Sequence, residues 1–235
     1  MPVFHNGAVE IAHDVTGQGP AVLLLHGFPQ NRAMWGDVVP ALSQRFTCVT
    51  ADLRGYGASS KPEATDPATY SFREMARDMT ALMSHLGHET FHLIGHDRGG
   101  RVAYRLALDH PERVKRLAIL DILPTSDYWA RMDRGFALKI YHWTLLAQPS
   151  PLPETLIGGA PDFWLEWTLK TWTVSQSLDC FGPEAMAHYR QGFHDPARLT
   201  AMSDDFEIDY LEGDELTLSQ KNLPELPTVF VPKSL

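Results

Sequence analysis

Four apolar runs of strand length punctuate the first half of this chain, at residues 21–25, 46–51, 90–95 and 114–121. The first, Ala21-Val22-Leu23-Leu24-Leu25, has no polar position at all. A strand that is apolar at successive positions must be covered on both faces, which a sheet with one wet face does not allow. Between the runs lie amphipathic stretches, 33–44, 71–86 and 99–109, long enough to cross from one strand to the next. Ser71 followed by Glu74 forms a capping box at the head of the second, and Gly87 a stop at its foot. Residues 10–16 read as an antiparallel lead-in strand. The expected fold class is α/β, a mostly parallel sheet flanked by helices.

After Pro124 the alternation stops. Residues 124–203 hold five of the six tryptophans, many helix-forming runs and no strand pattern, with Gln148-Pro149-Ser150-Pro151-Leu152-Pro153 as a break in the middle. This reads as a helical lid inserted into the layered domain. The expected organisation is a core over 1–123, a helical cap over 124–215, and a return to the core over 216–235 with a strand at 228–231.

Composition excludes several classes. At 44% hydrophobic and 21% charged, the chain of 235 residues can bury a core and is not disordered. No apolar run approaches the ~20 residues of a membrane span. Residues 1–10 lack a basic head followed by an apolar stretch, so no secretory signal is expected. Cys48 and Cys180 cannot make a disulfide framework, and a cytoplasmic location is expected. The net charge of −9 argues against nucleic acid as a partner. Residues 204–225 hold eight acids against the single base Lys221, so the rest of the chain is near neutral and an anionic substrate stays open.

The chemistry is concentrated in Gly95-His96-Asp97-Arg98-Gly99-Gly100, which follows one strand and opens a helix. This is a G-x-nucleophile-x-G elbow with Asp97 where many hydrolases carry Ser. The blander alternative is an Asp capping a tight turn. Against it stands His26-Gly27-Phe28-Pro29 after the preceding strand, where the backbone N–H of Phe28, with that of Arg98, would form an oxyanion hole. An Asp nucleophile constrains the reaction. Its carboxylate displaces a leaving group from sp³ carbon and leaves an ester, which water can reopen at the carbonyl; Ser would leave an ether with no carbonyl to attack. No metal-ligand cluster or phosphate loop is seen, and neither a metal nor another cofactor is expected.

The run from Gly95 to Leu108, together with Asp121-Ile122-Leu123-Pro124-Thr125 and Ala137-Leu138-Lys139-Ile140-Tyr141-His142-Trp143, resembles the haloacetate (fluoroacetate) dehalogenases of the α/β-hydrolase superfamily. The likeness covers roughly residues 5 to 205. It implies the α/β-hydrolase fold with a helical cap inserted after the sixth strand. It also implies hydrolytic dehalogenation of haloacetate to glycolate through an ester on Asp97. Arg98 and Arg101 would hold the substrate carboxylate. Their spacing of three at a helix start puts both forks on one face, and paired guanidinium groups match a small carboxylate; a plain surface pair engaging acids is the alternative, and is preferred for Arg105. By the resemblance, Asp121 is the triad acid, His142 and Trp143 donate to the departing halide, and Trp172 lines the pocket. Without it, Asp121 would read as a strand-end cap, and His142 and Trp143 as the apolar face of a lid helix. The expected partners are a halo-carboxylate and water, with no nucleic acid and no membrane, and a homodimer is the assembly considered.

Two departures from the family qualify this. The third halide donor of the family is a Tyr in an Asp-Tyr pair, and here the pair is Asp205-Phe206. The loss predicts a weaker defluorinase that handles chloroacetate better, unless Tyr210 substitutes. The family's general-base His stands in a Gly-His segment after the last strands, and no residue after Val231 matches it. The base is therefore expected to be absent, along with the last strand and helices, about two βα units of roughly 30 residues each. Two other functions stay open: an epoxide hydrolase or haloalkane dehalogenase, which Arg98 counts against, and a non-catalytic binder of small carboxylates.

Overall fold

The computed structural model describes residues 2–212 and 228–231. Seven strands form one sheet in the order β1-β2-β4-β3-β5-β6-β7. β1 (Val3–Asn6) and β2 (Val9–Thr16) make an antiparallel hairpin, and β2 pairs antiparallel with β4 (Thr47–Ala51). From there all pairings are parallel, through β3 (Ala21–Leu25), β5 (Phe91–His96), β6 (Val114–Leu120) and β7 (Thr228–Val231). The α/β class and the five strand positions before the lid therefore stand. The sequence reading missed β1, a four-residue strand that, among the described residues, pairs with β2 alone.

All five residues of β3 are buried, as an apolar run requires, whereas β5 and β6 alternate buried with more exposed positions. One face of the sheet is packed by α2 (Phe72–His85) and α3 (Arg98–Asp109), which bury Met75, Met79, Leu82, Val102, Leu106 and their neighbours in the main core. Ser71 caps α2 by accepting the Glu74 N–H at 3.3 Å, and Gly87 stops it at φ +80°. On the other face a smaller cluster of Val22, Leu24, Trp35 and Cys48 is built. The single helix expected over 33–44 is instead a 3₁₀ turn (Arg32–Trp35) and a four-residue α1 (Val39–Leu42), separated at Gly36 and restarted with Pro40 in its first turn. Proline fits only the first turn of a helix, so the stretch cannot run through it unbroken.

After β6 the chain leaves the sheet for seven helices. They are α4 (Thr125–Ala130), α5 (Arg134–Lys139), α6 (Tyr141–Leu146), α7 (Leu152–Gly158), α8 (Pro161–Trp172), α9 (Pro183–Phe193) and α10 (Pro196–Glu212). The proline-rich break falls between α6 and α7. Leu165, Tyr189, Phe193, Met202 and Phe206 bring the cap into the same buried cluster as the sheet. Among the described residues, no helix is long and apolar enough to cross a membrane.

Candidate active site

The elbow is the point where β5 ends at His96 and α3 begins at Arg98, leaving Asp97 alone to make the turn, at φ 48° and ψ −116°. With ψ negative this lies outside the left-handed helical basin that Asp tolerates, so the turn is strained for any side chain. The flanking glycines are required by space. A Cβ on Gly95 would stand 2.7 Å from the Gly100 Cα, and one on Gly99 would meet the His26 carbonyl and, at 2.6 Å, the backbone of Leu25. The partners are backbone and cannot swing away. Gly99→Ala is expected to destabilise the fold by about 3 kcal/mol or more, read as a lower denaturant midpoint at unchanged slope; a shift below 1 kcal/mol would contradict this packing.

The loop after β3 is held against the elbow from several sides. Gly99 N–H donates to the His26 carbonyl at 2.9 Å, and Phe28 N–H donates to Asp97 Oδ1 at 2.9 Å. His26 is fully buried; Leu53 N–H donates to its Nε2 at 3.1 Å, so Nδ1 carries the proton and faces the Gly27 carbonyl at 3.1 Å. Burial lowers the His26 pKa, against the raising effect of Asp52, and keeps the ring neutral. Asp52 in turn accepts from the backbone of Arg32 at 2.7 Å and of Ala58 at 2.8 Å, tying the loop to the end of β4. The Phe28 N–H thus stands beside the carboxylate of Asp97, where the sequence motif expected it.

Burial of Asp97 works to raise its pKa, but Arg101, His96, Arg98 and the Phe28 N–H together outweigh it, and the carboxyl lies below its ordinary range. Asp97 is an anion at neutral pH, the state a nucleophile needs. Arg101 is fully buried with its guanidinium 4.7 Å from the Trp143 ring and 5.2 Å from the Tyr128 ring. Asp121 follows β6 directly at φ 57°. Burial raises the Tyr128 phenol, and the charges of Asp97 and Asp121 add to this against Arg101, so these groups share one neighbourhood.

The cap supplies the roof. His142 and Trp143 on α6 are both buried. The Phe28 ring stacks parallel to His142 at 6.2 Å, Trp172 lies 4.6 Å from His142, and Phe206 sits 5.0 Å from Phe28 and 6.1 Å from Trp143. The predicted pocket residues are therefore brought together around Phe28, whose N–H meets Asp97. Phe206 occupies the wall where the resemblance asked for a donor, and its ring has none. Tyr210 is reached by the backbone of α10, but its side chain lies outside the described residues, as do residues 232–235, where the base was expected to be lacking.

One placement adds a partner that the sequence reading did not foresee. The Arg98 side chain is fully buried and meets Asp205: Nε donates to Oδ2 at 3.0 Å, and Nη2 to Oδ1 and to the backbone carbonyl, the latter at 2.6 Å. Two nitrogens of the guanidinium are thus engaged by a protein carboxylate. Arg105 is paired with Asp109 one turn on, but it is buried rather than on the surface where the blander reading put it. Asp205 was named in the sequence only as the neighbour of Phe206 and given no role, and Tyr56 and Tyr128 went unnoticed. For Asp205 a signal existed, since it is an acid on the apolar stripe of α10 with Ala201, Met202, Phe206 and Ile208.

A parallel sheet with an Asp-bearing elbow, an N–H donor from the preceding loop and a helical roof defines the α/β hydrolases. A family model of the alpha/beta hydrolase fold matches residues 20–229, and the chain belongs to that family. Within it, the chain belongs with the fluoroacetate dehalogenases: it is 49% identical over 213 residues to the fluoroacetate dehalogenase of a Burkholderia sp, covering 87% of this chain and 70% of that one. It is also 46% identical over 182 residues to the soluble epoxide hydrolase of Corynebacterium sp. (strain C12), covering 75% of this chain and 61% of that one. Among solved structures, a Nostoc sp PCC 7120 protein assigned to the alpha/beta hydrolases superposes with a TM-score of 0.92 at 43% identity, over 97% of this chain and 79% of that one. A Pseudomonas aeruginosa protein assigned as an epoxide hydrolase does so with a TM-score of 0.89 at 40% identity, over 97% and 77%.

Proposed function

We propose that the site carries out hydrolytic dehalogenation of haloacetates. The observation that carries this is an ionised, buried Asp97 on a strained elbow, beside the Arg101 cation and under an aromatic roof bearing His142 and Trp143. The 49% identity to a fluoroacetate dehalogenase supports it. Positive charge at the head of α3 draws the carboxylate of the substrate and presents its CH₂–X carbon to Asp97. An Asp97 carboxylate oxygen forms a bond to that carbon as the C–X bond breaks, and the electron pair leaves with the halide. Donors from His142 and Trp143 meet the halide. Water then adds to the ester carbonyl, the Phe28 and Arg98 N–H groups stabilise the oxyanion, and glycolate leaves while Asp97 returns as carboxylate. Asp121 orients the base of this second step. The reaction is placed in the cytoplasm.

Treatment of the protein with chloroacetate followed by intact mass spectrometry tests this reading. One carboxymethyl group on Asp97 is expected, and no addition, or addition elsewhere, would reject it. Epoxide opening is the second reading, favoured by the identity to an epoxide hydrolase and by the same carboxylate chemistry. An alkyl epoxide in place of chloroacetate decides between them by which reagent labels Asp97 faster.

The pocket wall makes a sharper prediction. Phe206 cannot donate to a leaving fluoride, so chloroacetate is expected to react faster than fluoroacetate. Phe206→Tyr restores a donor, and a hydrogen bond to a charged group contributes about 1.5–3 kcal/mol. The ratio of fluoroacetate to chloroacetate labelling rates is expected to rise at least roughly tenfold. An unchanged ratio would remove Phe206 from the leaving-group site.

A further inference from the structure

Two carboxyl groups that the chemistry at Asp97 does not use stand in the cap, where α7 packs on α10. α7 is short and set between breaks: the proline-rich stretch 148–153 leads into it, and Gly158-Gly159 ends it. Its buried residues are Pro153 and Ile157. Gly158 lets the helix approach α10, since a Cβ there would lie 3.7 Å from the Leu199 Cδ1. Leu152 and Leu156 face solvent on the outer side. Glu154 comes between the buried pair, and both its carboxylate oxygens are cut off from water with no hydrogen-bond partner among the described residues. A charge left in that state is costly.

Asp204 on α10 feels this charge. Burial, and then the negative charges of Glu207, Glu154 and Asp205, push its carboxyl up to about 6. Beside it on the core is Tyr70, at the end of the 3₁₀ helix Pro67–Tyr70; its phenol is buried and is raised by that burial and by Asp204. The cations near Tyr70 are Arg54 and Arg198, and both are engaged elsewhere, Arg54 on Asp78 and Arg198 on the Ser59 carbonyl.

We propose that Glu154 and Asp204 make α7 a pH-sensitive flap of the cap, held down on α10 while the pair carries a proton and released when both carboxylates are charged. The structure shows the flap down. Two like charges with no cation between them repel most where water is excluded. Asp204 is raised in the fold, so the stability linked to it is full below the ordinary carboxylate range and is lost as the pH rises through about 6. α7 is the element that yields. α10 is held from the core by Asp205, which accepts from Arg98 and from the Tyr56 hydroxyl, and the pocket wall at Phe206 stays with it. The labelling rate at Asp97 is therefore expected to stay level as the flap opens. The flap needs no substrate, so failure of chloroacetate to label Asp97 would leave it standing.

Urea unfolding of the wild type, Asp204→Asn and Glu154→Gln at a series of pH values tests this. Between about pH 5 and pH 7 the folding equilibrium of the wild type is expected to fall about tenfold more than that of Asp204→Asn. Glu154→Gln keeps the shape of the side chain and removes its charge, and its fall is expected at lower pH. The same pH dependence in the wild type and Asp204→Asn, or an unmoved fall in Glu154→Gln, overturns the proposal. Hydrogen exchange on the unmodified chain gives a reading that needs no variant. After correction for the intrinsic rate, the amides of α7 are expected to lose protection as the pH rises through about 6, while those of α3 keep theirs. An α7 whose protection stays constant over this range overturns the proposal.

Discussion

Asp97→Asn is expected to abolish covalent labelling by chloroacetate, lowering the rate by on the order of 10⁴-fold or more, while leaving the fold intact. The neutral amide has no anionic lone pair to displace chloride. The choice of Asn matters because of where the residue sits. At φ 48° a β-branched or large apolar side chain would add strain, whereas Asn has the shape of Asp and adds none. Asn also keeps an oxygen for the Phe28 N–H, which now donates to Asp97 Oδ1 at 2.9 Å. Loss of labelling at an unchanged unfolding midpoint would assign the defect to chemistry. Full labelling of the Asn variant would move the nucleophile elsewhere.

Arg101→Gln is the second large effect. Burial alone would push the Asp97 carboxyl up, and Arg101 is the foremost of the groups that reverse this. In the wild type the folded pKa is therefore below the unfolded one. The corresponding stability is present above the unfolded pKa and is lost as the pH falls through the folded value. Labelling should follow the same anion: level through neutral and mildly acid pH, with a fall only below the ordinary carboxylate range. Removing Arg101 leaves the desolvation in place without its main offset, so the acid limb moves to higher pH. If Arg101 draws the substrate carboxylate as proposed, the same variant loses that cation too, and the labelling rate at neutral pH is expected to drop by about 10²-fold. A pH profile that keeps its acid limb where it was would show that His96 and Arg98 carry the Asp97 charge without Arg101.

Much of this site is legible in the order of residues because its geometry is local. The elbow is six consecutive positions, and its glycines stand where any side chain would meet the backbone of Gly100 or Leu25. The apolar run of β3 announces a strand covered on both faces, and all five of its residues are buried. The helix over 33–44 was misread for an equally local reason, since periodicity continued across Gly36 and Pro40 while the backbone could not. β1 was missed because an edge strand with one partner needs little apolar signal.

The residues that escaped notice are those whose meaning depends on distant partners. Arg98 and Arg101 look equivalent on one helix face, three positions apart. What separates them is Asp205, 107 residues along the chain and on another helix. By itself the sequence determined the layered fold and the position of the Asp97 elbow, because repeating apolar runs and close backbone contacts leave few alternatives, and its motifs carried the resemblance to the family. The tertiary structure alone decided that Arg98 meets Asp205, because a buried ion pair exists only once the folded chain has brought both charges out of water.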